Sequence, residues 1–350
     1  MLKELELKAE KKYLQGQTIE TIYFGGGTPS LMPAADITMI LDKIRQYWQV
    51  DNNAEITLEA NPDDLHEEAL GAWKSIGINR LSIGIQSLYD DELAWMHRAH
   101  NAKEALNALE KAIKAGFRQL TADFIYGGEL MSDERWRATL EWIASQKIPH
   151  ISCYALTVEP KTPLAKRKRS AQEIEAENEK QSRQFMMLMD AAVKSGYEHY
   201  EISNFALPGQ RSRHNSAYWQ GVAYMGIGPS AHSFDGHGRE WNVSSNSKYI
   251  QSIQQGIVPS EKEVLSNIQQ LNEYLLTNLR RIEGCSMNYI TEKFGNTYTI
   301  ELAPKILIYE EKEWMQRAGH DFRLTNNGKL FADAIALDLF FTEHKISGRY

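Results

Sequence analysis

The first half of the chain alternates between two hydrophobic periods. Short β-rich runs bounded by turn residues predict strands at Thr18–Phe24 (TIETIYF), Glu55–Ala60 (EITLEA), Arg80–Ile85 (RLSIGI), Phe117–Tyr126 and Ile148–Leu156. A helical period predicts Ala34–Trp48, His66–Ile76, Ala102–Ala115 and Asp133–Ser145 between them, after a charged amphipathic helix over Met1–Leu14. Gly77 and Gly116 close two of these helices. Such alternation implies a parallel sheet with right-handed crossovers. An open doubly wound sheet and a (β/α) barrel both satisfy it. The polar residues favour the barrel. Gly25–Thr28, Glu59, Gln86, Asp123 and Tyr154 fall at or near the C-terminal ends of successive strands. One mouth fed by every strand is the barrel arrangement, whereas an open sheet gathers its ligand residues at a switch point. The chain opens on a helix, so the first strand is expected to leave an exposed sheet edge.

The second half differs. A Lys/Arg-rich connector, Lys161 to Ser170, leads into a long helix over Ala171–Ser195. Tyr197–Asp235 is rich in aromatics, Gly, Ser and Asn and has weak periodicity. From Glu261 the helical pattern returns, at Lys262–Arg281, Met287–Phe294, Leu302–Ala318 and Gly328–Phe340, with a short run at Phe322–Leu324. This reads as a small C-terminal helical domain.

Composition narrows the classes. At 350 residues, two domains or a barrel with an appendage fit. With 42% apolar and 24% charged residues, the chain is neither disordered nor membrane-embedded. No stretch approaches the roughly 18 apolar residues a spanning helix needs, and Met1–Glu6 has no apolar signal region. A net charge of -7 argues against nucleic acid as a partner. The two cysteines, Cys153 and Cys285, supply neither a disulfide framework nor three or four cluster thiolates, and suggest a reducing, cytoplasmic compartment.

Two constellations carry chemistry. Gly25-Gly26-Gly27-Thr28-Pro29-Ser30 follows a strand and precedes a helix, and its bare backbone can approach a small charged ligand. It is neither a phosphate loop nor a dinucleotide fingerprint. Glu59 ends an otherwise apolar strand, where an unpaired buried carboxylate would be costly. With Gln86, Arg98 and Asp123 it forms a set: amine acceptor, amide, guanidinium and diol acceptor. That set suits an amino-acid nucleoside, against the plainer reading of capped or salt-bridged barrel residues. The second constellation is His214-Asn215-Ser216-Ala217-Tyr218-Trp219, followed by Gly226 to Ser233 with His232. Its imidazole could face a flat aromatic ligand or a haem iron, or simply pack. Cys153 and Cys285 read as buried hydrophobes, and Lys166–Arg169 as a solvated connector face.

The ordered motifs YFGGGTPSL, ITLEANPDDL, RLSIGIQS, MHRAHN, DFIYG, YALTVEPKTPL, YEISNFALPG, RHNSAYW and GIGPSAHSF closely resemble the haem chaperone (HemW) branch of the oxygen-independent coproporphyrinogen III oxidase family, within the radical SAM superfamily. The likeness covers nearly the whole chain, and the HNxxYW element separates this branch from the oxidase. The resemblance implies a partial (β/α)6 radical SAM barrel over residues 1–200, an HNxxYW haem-associated segment over 201–260 and a helical domain over 261–350. It implies S-adenosylmethionine held by Gly26, Gly27, Thr28 and Glu59, with Gln86, Arg98 and Asp123 contacting it and Tyr154 and Ala155 lining the mouth. It also implies haem, with His214 as the residue at its iron. The expected partners are haem-acceptor proteins, some of them membrane-associated, and a homodimer is compatible with the family.

Two departures bear on activity. The family places a first strand and a CxxxCxxC loop, whose thiolates hold a [4Fe–4S] cluster, ahead of the first helix. Neither is in this sequence, so the barrel is expected to miss that strand and the chain to be inactive in reductive S-adenosylmethionine cleavage. A misassigned or truncated start is the expected explanation, testable by translating the DNA upstream of Met1. Tyr126-Gly127-Gly128-Glu129 also stands where the family continues Gly-Leu-Pro. Three functions follow: a haem chaperone, a coproporphyrinogen oxidase of porphyrin biosynthesis, or a module that keeps nucleoside affinity alone.

Overall fold

A computed structural model describes residues 1–157 and 171–342. The basic run Lys166–Arg169 and the chain beyond residue 342 lie outside the described residues. Seven strands form one sheet: β1 (Thr18–Phe24), β2 (Gln49–Ala60), β3 (Arg80–Gln86), β4 (Gln119–Tyr126), β5 (His150–Ala155), β6 (Glu198–Glu201) and β7 (Asn204–Ala206). Their order is β1-β2-β3-β4-β5-β7-β6. Strands β2 to β5 pair in parallel, and β7 runs antiparallel to both β5 and β6. The first five strands advance in one direction with no reversal. A doubly wound sheet reverses at its switch point, so the order decides for a curled half-barrel. Among the described strands, β1 stands at one end of the order.

The helices of this half are α1 (Leu2–Glu10), α2 (Ala34–Tyr47), α3 (Glu67–Ser75), α4 (Asp90–Trp95), α5 (Ala102–Lys114), α6 (Asp133–Gln146) and α7 (Ala171–Lys194). Period-two alternation sorts the strands into two faces. One face carries Leu58, Leu81, Ile83, Leu120, Phe124 and Ile151, all buried. Helices cover it: α5 packs on β3, and Phe124 meets the edge of Trp142 on α6. Tyr126 stacks on Trp136 of α6 and on Phe185 of α7. The other face carries the polar residues: Glu55, Thr57 and Glu59 on β2, Arg80 and Ser82 on β3, Thr121 and Asp123 on β4, His150 and Ser152 on β5. Buried polar groups need partners. Arg80 Nη2 donates to Thr121 Oγ1 at 2.9 Å and pairs with Glu55, and His150 Nε2 meets the Tyr200 hydroxyl at 2.7 Å.

The remaining elements are α8 (Arg213–Trp219), β8 (His232–Phe234), β9 (Gly238–Asn242), α9 (Asn246–Gln254), β10 (Ser260–Val264), α10 (Asn267–Leu279), β11 (Cys285–Ser286), α11 (Met287–Phe294), α12 (Asn296–Glu311), β12 (Met315–Ala318), β13 (Asp321–Leu324), α13 (Asn326–Lys329) and α14 (Ala332–Leu339). By contacts the chain divides into two compact units. One comprises Tyr23–Ala34 and Glu55–Ser212; the other comprises Met1–Ile22, Ala35–Ala54 and the chain from Arg213.

The predicted elements of the first half fall within a few residues of the observed ones, with two omissions. Helix α4 was not expected, and β2 begins at Gln49 rather than Glu55. The second half needs more correction. The helix expected over Lys262–Arg281 starts only at Asn267, because Ser266 and Gln269 form a reciprocal capping box there. The residues before it form β10, paired antiparallel with β9. The helix expected over Leu302–Ala318 runs instead from Asn296 to Glu311. Glu313 then takes a left-handed φ of 58° and the chain turns into β12. The last expected helix is split into α13 and α14. The C-terminal region is thus helical with a three-stranded sheet, β11-β13-β12.

Candidate functional site

At the C-terminal ends of β2 to β5 lies a cavity of about 480 Å³. Gly27, Thr28, Glu59, Gln86, Arg98, Asp123 and Ala155 line it, with Tyr154. Seven of the nine expected binding residues therefore converge. Gly26 joins through its backbone, donating its N–H to Glu59 Oε2 at 3.1 Å. Its φ of +91° is a conformation that glycine takes without a Cβ penalty. His214 is the exception: it belongs to the other compact unit and is not among the lining residues.

Glu59 has the partners its position requires. The Tyr23 hydroxyl donates to Oε1 at 2.7 Å, beside the Gly26 bond to Oε2. A Cβ on Gly25 would come within 2.5 Å of the Tyr23 ring, so the glycine run makes room for the pair that fixes Glu59. Desolvation beside this carboxylate pushes the Tyr23 phenol well above its ordinary range. On the next strand, Gln86 has φ +67°, rare for a side chain that is not glycine, at a register shift between β3 and β4. This turns the Gln86 amide across Gly84, where a Cβ would meet Gln86 Nε2 at 2.7 Å and Arg98 Nη2 at 3.0 Å. Arg98 also donates to Asn61 Oδ1 at 3.3 Å. Burial works against its charge, with Asp63 and Asp123 opposing that effect.

Asp123 accepts from Ser82 Oγ at 3.0 Å. Burial pushes its pKa up to about 6; hydrogen bonds from Ser152 and Ser82 pull it down, Glu59 raises it and Arg80 lowers it. The Ser152 hydroxyl also lies 3.0 Å from Asn204 Oδ1, and Asn204 Nδ2 donates to Glu201. Ser82, Gly84, Asn61 and Tyr23 were missed in the sequence. Ser82 and Gly84 could have been found from alternation, since they share a strand face with Arg80 and lead toward Gln86. The Gly127 turn donates its N–H to Gln184 Oε1 on α7 at 2.8 Å.

In the other unit, α8 carries His214 to Trp219. His214 Nδ1 lies 2.9 Å from Thr21 Oγ1. Arg213 pairs with Glu20 and donates to the Asn53 carbonyl. Tyr218 and Trp219 meet edge to face at 5.1 Å. The following GIGPSAHS segment is tied to α1. Glu4, fully buried, accepts from Gly228 N–H, Asn242 Nδ2 and the Tyr249 hydroxyl, and Lys8 Nζ donates to the Gly226 carbonyl.

The motifs on these two units can be set against known proteins. The radical SAM superfamily model matches residues 2–143. Heme chaperone HemW of Lactococcus lactis is 31% identical over 322 residues, covering 89% of this chain and 84% of the relative. The chain belongs to the HemW haem chaperone family. HemW of Mycobacterium tuberculosis is also 31% identical, over 96% of this chain and 84% of the relative. HemW of Escherichia coli is 29% identical, over 97% and 88%. Among solved structures, coproporphyrinogen III oxidase (HemN) from Escherichia coli, described as a radical SAM enzyme, superposes with a TM-score of 0.77 at 20% identity, covering 97% of this chain and 82% of that one. That likeness establishes the fold.

The superfamily implies an iron–sulfur cluster. Among the described residues, no group of three or more His, Cys, Asp or Glu is gathered for a metal. Cys153 on β5 and Cys285 on β11 are both buried, and burial raises both thiols far above their usual range. These two residues do not fit a cluster, which takes three or four cysteine thiolates gathered at one place. Among the described residues no helix is long and apolar enough to cross a membrane.

Proposed function

We propose that this chain binds haem at the His214–Trp219 helix, hands it to acceptor proteins, and binds S-adenosylmethionine in the half-barrel cavity. The observation that carries the haem reading is the His214–Thr21 contact on the HNxxYW helix of a HemW family member. A histidine that ligates iron is oriented by what its other ring nitrogen meets. Here Thr21 engages Nδ1, and the reading assigns Nε2 to the metal.

The cavity's donor set supports the second ligand. S-adenosylmethionine carries an ammonium, a carboxylate and a ribose diol. Glu59, held by Tyr23 and Gly26, offers a fixed carboxylate to the ammonium. Arg98 and Gln86 offer a guanidinium and an amide to the carboxylate. Asp123, backed by Ser82, offers a diol acceptor. When bound, this group supplies a sulfonium for reductive cleavage. The chain's own residues bind and orient it.

The test of the haem reading is a titration followed at the Soret band, with wild type and His214→Ala. Saturable binding in wild type that weakens at least about tenfold in the variant supports the reading. No saturable binding in either protein overturns it. The coproporphyrinogen oxidase reading shares the cavity but draws only on the fold likeness to HemN. In a 5′-deoxyadenosine assay after anaerobic iron–sulfide reconstitution no product is expected from this chain, and product formation would favour the oxidase reading.

A further inference from the structure

The loop between α4 and α5 carries a buried histidine that the cavity's donor set leaves unused. His100 is 3% exposed. It stands two residues after Arg98 and just before Asn101, the cap of α5. Its Nε2 lies 3.2 Å from the Ile85 carbonyl oxygen near the end of β3. A carbonyl only accepts, so Nε2 carries the proton and donates. On the other side of the ring, Nδ1 lies 3.9 Å from Asp63 Oδ1, in the turn that follows β2. Burial, the largest effect, holds the imidazole below its ordinary pKa, against the Ile85 bond that raises it. The ring is therefore neutral near pH 7, and its single N–H goes to Ile85.

The Ile85 carbonyl is the one that precedes Gln86. It also accepts from the Ser87 N–H at 2.9 Å, which closes a three-residue turn around Gln86. With φ +67° at its centre, this is a γ-turn of the rare, strained, positive-φ form. Such strain persists only where the surrounding structure over-determines it. His100 supplies that hold from outside the strand. The same residue pins the backbone beside Arg98. There His97 takes φ +56°, and the Arg98 N–H donates to the Leu93 carbonyl at 2.9 Å. One imidazole thus links the turn that aims Gln86 to the loop that brings in Arg98. Their side chains meet over Gly84 in the cavity wall.

Resting on the S-adenosylmethionine reading above, we propose that His100 is a positioning residue: its Nε2–H holds the Gln86 turn against the Arg98 loop and so sets how well the cavity recognises a carboxylate. His100 is not among the lining residues and acts through the two that are. The ammonium end is independent of it, because Glu59 is held by Tyr23 and Gly26. The ligand class selected is a sulfonium nucleoside with a free α-carboxylate, over one that carries the amine alone.

Calorimetric titrations of S-adenosylmethionine and of its decarboxylated analogue into wild type, His100→Gln and His100→Asn test this. The analogue keeps the ammonium, the sulfonium and the ribose. A glutamine places an amide N–H near the position of Nε2, whereas an asparagine is one methylene short of Ile85. Wild type is expected to prefer S-adenosylmethionine by about tenfold, the scale of one charge-assisted hydrogen bond. His100→Asn should lose most of that preference while its affinity for the analogue stays within about twofold of wild type. His100→Gln should keep the preference. An His100→Asn protein with the full preference, or an His100→Gln protein that loses as much as His100→Asn, overturns the assignment. Nitrogen-15 NMR of the wild-type imidazole gives a reading that does not depend on how a variant folds. A proton on Nε2 is expected, and a proton on Nδ1 overturns the proposal. Wild type that binds both ligands equally also overturns it, while leaving the S-adenosylmethionine reading intact. If wild type binds neither, both fall together.

Discussion

The Tyr23 hydroxyl donates to Glu59 Oε1 at 2.7 Å, across from the Gly26 N–H on Oε2. Strand β1 and the turn after it thus fix one carboxylate of β2 at the cavity mouth. Removing the hydroxyl leaves the carboxylate in place but less oriented. Tyr23→Phe is expected to weaken S-adenosylmethionine binding by about fivefold, near 1 kcal/mol for one hydrogen bond. Glu59→Gln, which loses the charge proposed to meet the ammonium, should weaken it by at least about tenfold. Calorimetric titration of the two variants checks the order; equal affinities for Tyr23→Phe, Glu59→Gln and wild type would contradict it.

The carboxyl of Asp123 sets a pH dependence. Its pKa is about 6 in the folded chain, above the ordinary aspartate value, chiefly because of burial. A raised acid favours the folded state while it is protonated, and that contribution is lost as pH rises through about 6. Diol binding needs the ionised form. Affinity for S-adenosylmethionine should therefore rise with pH, with a midpoint near 6. Ser82 donates to the ionised form, so Ser82→Ala should move that midpoint upward. Affinity measured across the range in both proteins reads the shift directly, and a midpoint that stays put would remove Ser82 from the account.

His150 gives the opposite sign. Burial first, and Arg80 second, hold its pKa well below the ordinary histidine value. Below about pH 6.5 the unfolded imidazole takes a proton that the folded one refuses. Its contribution to stability is therefore present above that pH and lost as pH falls. In His150→Gln, urea unfolding between about pH 5 and about pH 7 should show a shallower loss toward acid than in wild type. Parallel pH profiles would mean that another group dominates.

At Gly84 the obstruction is two flexible side-chain ends rather than backbone. A Cβ there would meet Gln86 Nε2 and Arg98 Nη2. Gly84→Ala should leave the fold nearly as stable as before, within about 1 kcal/mol, because those ends can shift. It should still weaken S-adenosylmethionine binding, since both displaced groups line the cavity. Thermal melting and calorimetry together separate the two effects.

Glu4 on α1 accepts from Gly228 N–H of the GIGPSAHS segment, from Asn242 Nδ2 and from the Tyr249 hydroxyl, with the Lys8 ammonium 3.6 Å away. Glu4→Leu removes the acceptor of three hydrogen bonds and the nearer carboxylate of the buried Lys8 ammonium, which keeps Glu240 at 4.0 Å. A loss of about 3–5 kcal/mol is expected, the scale of breaking one side of a buried ion pair. The urea midpoint checks it.

The cavity was readable residue by residue because each strand ends in a turn, and the polar residue beside that turn stands out against apolar neighbours. Glu59, Gln86 and Asp123 announced themselves this way. Tyr23, Ser82 and Gly84 did not, because what they do depends on a partner in another strand or loop. The second half was less legible for a related reason. Its strands, such as β10 with the sequence SEKEV, are exposed and charged and carry no hydrophobic period of their own.

By itself the sequence determined the alternation of strands and helices, the glycine run, the polar strand ends and the HNxxYW element, because these rest on local periodicity and residue chemistry. Tertiary structure decided the order of the strands, and with it a half-barrel over a doubly wound sheet, because pairing depends on which strand each one meets. It also decided that Tyr23 and Gly26 grip Glu59, that Arg98 lies across Gly84, and that Arg280 stacks on Trp219 sixty-one residues away. Long-range contacts of that kind leave no periodic trace in a chain, since hydrogen bonds and stacking are set by geometry that only folding brings about.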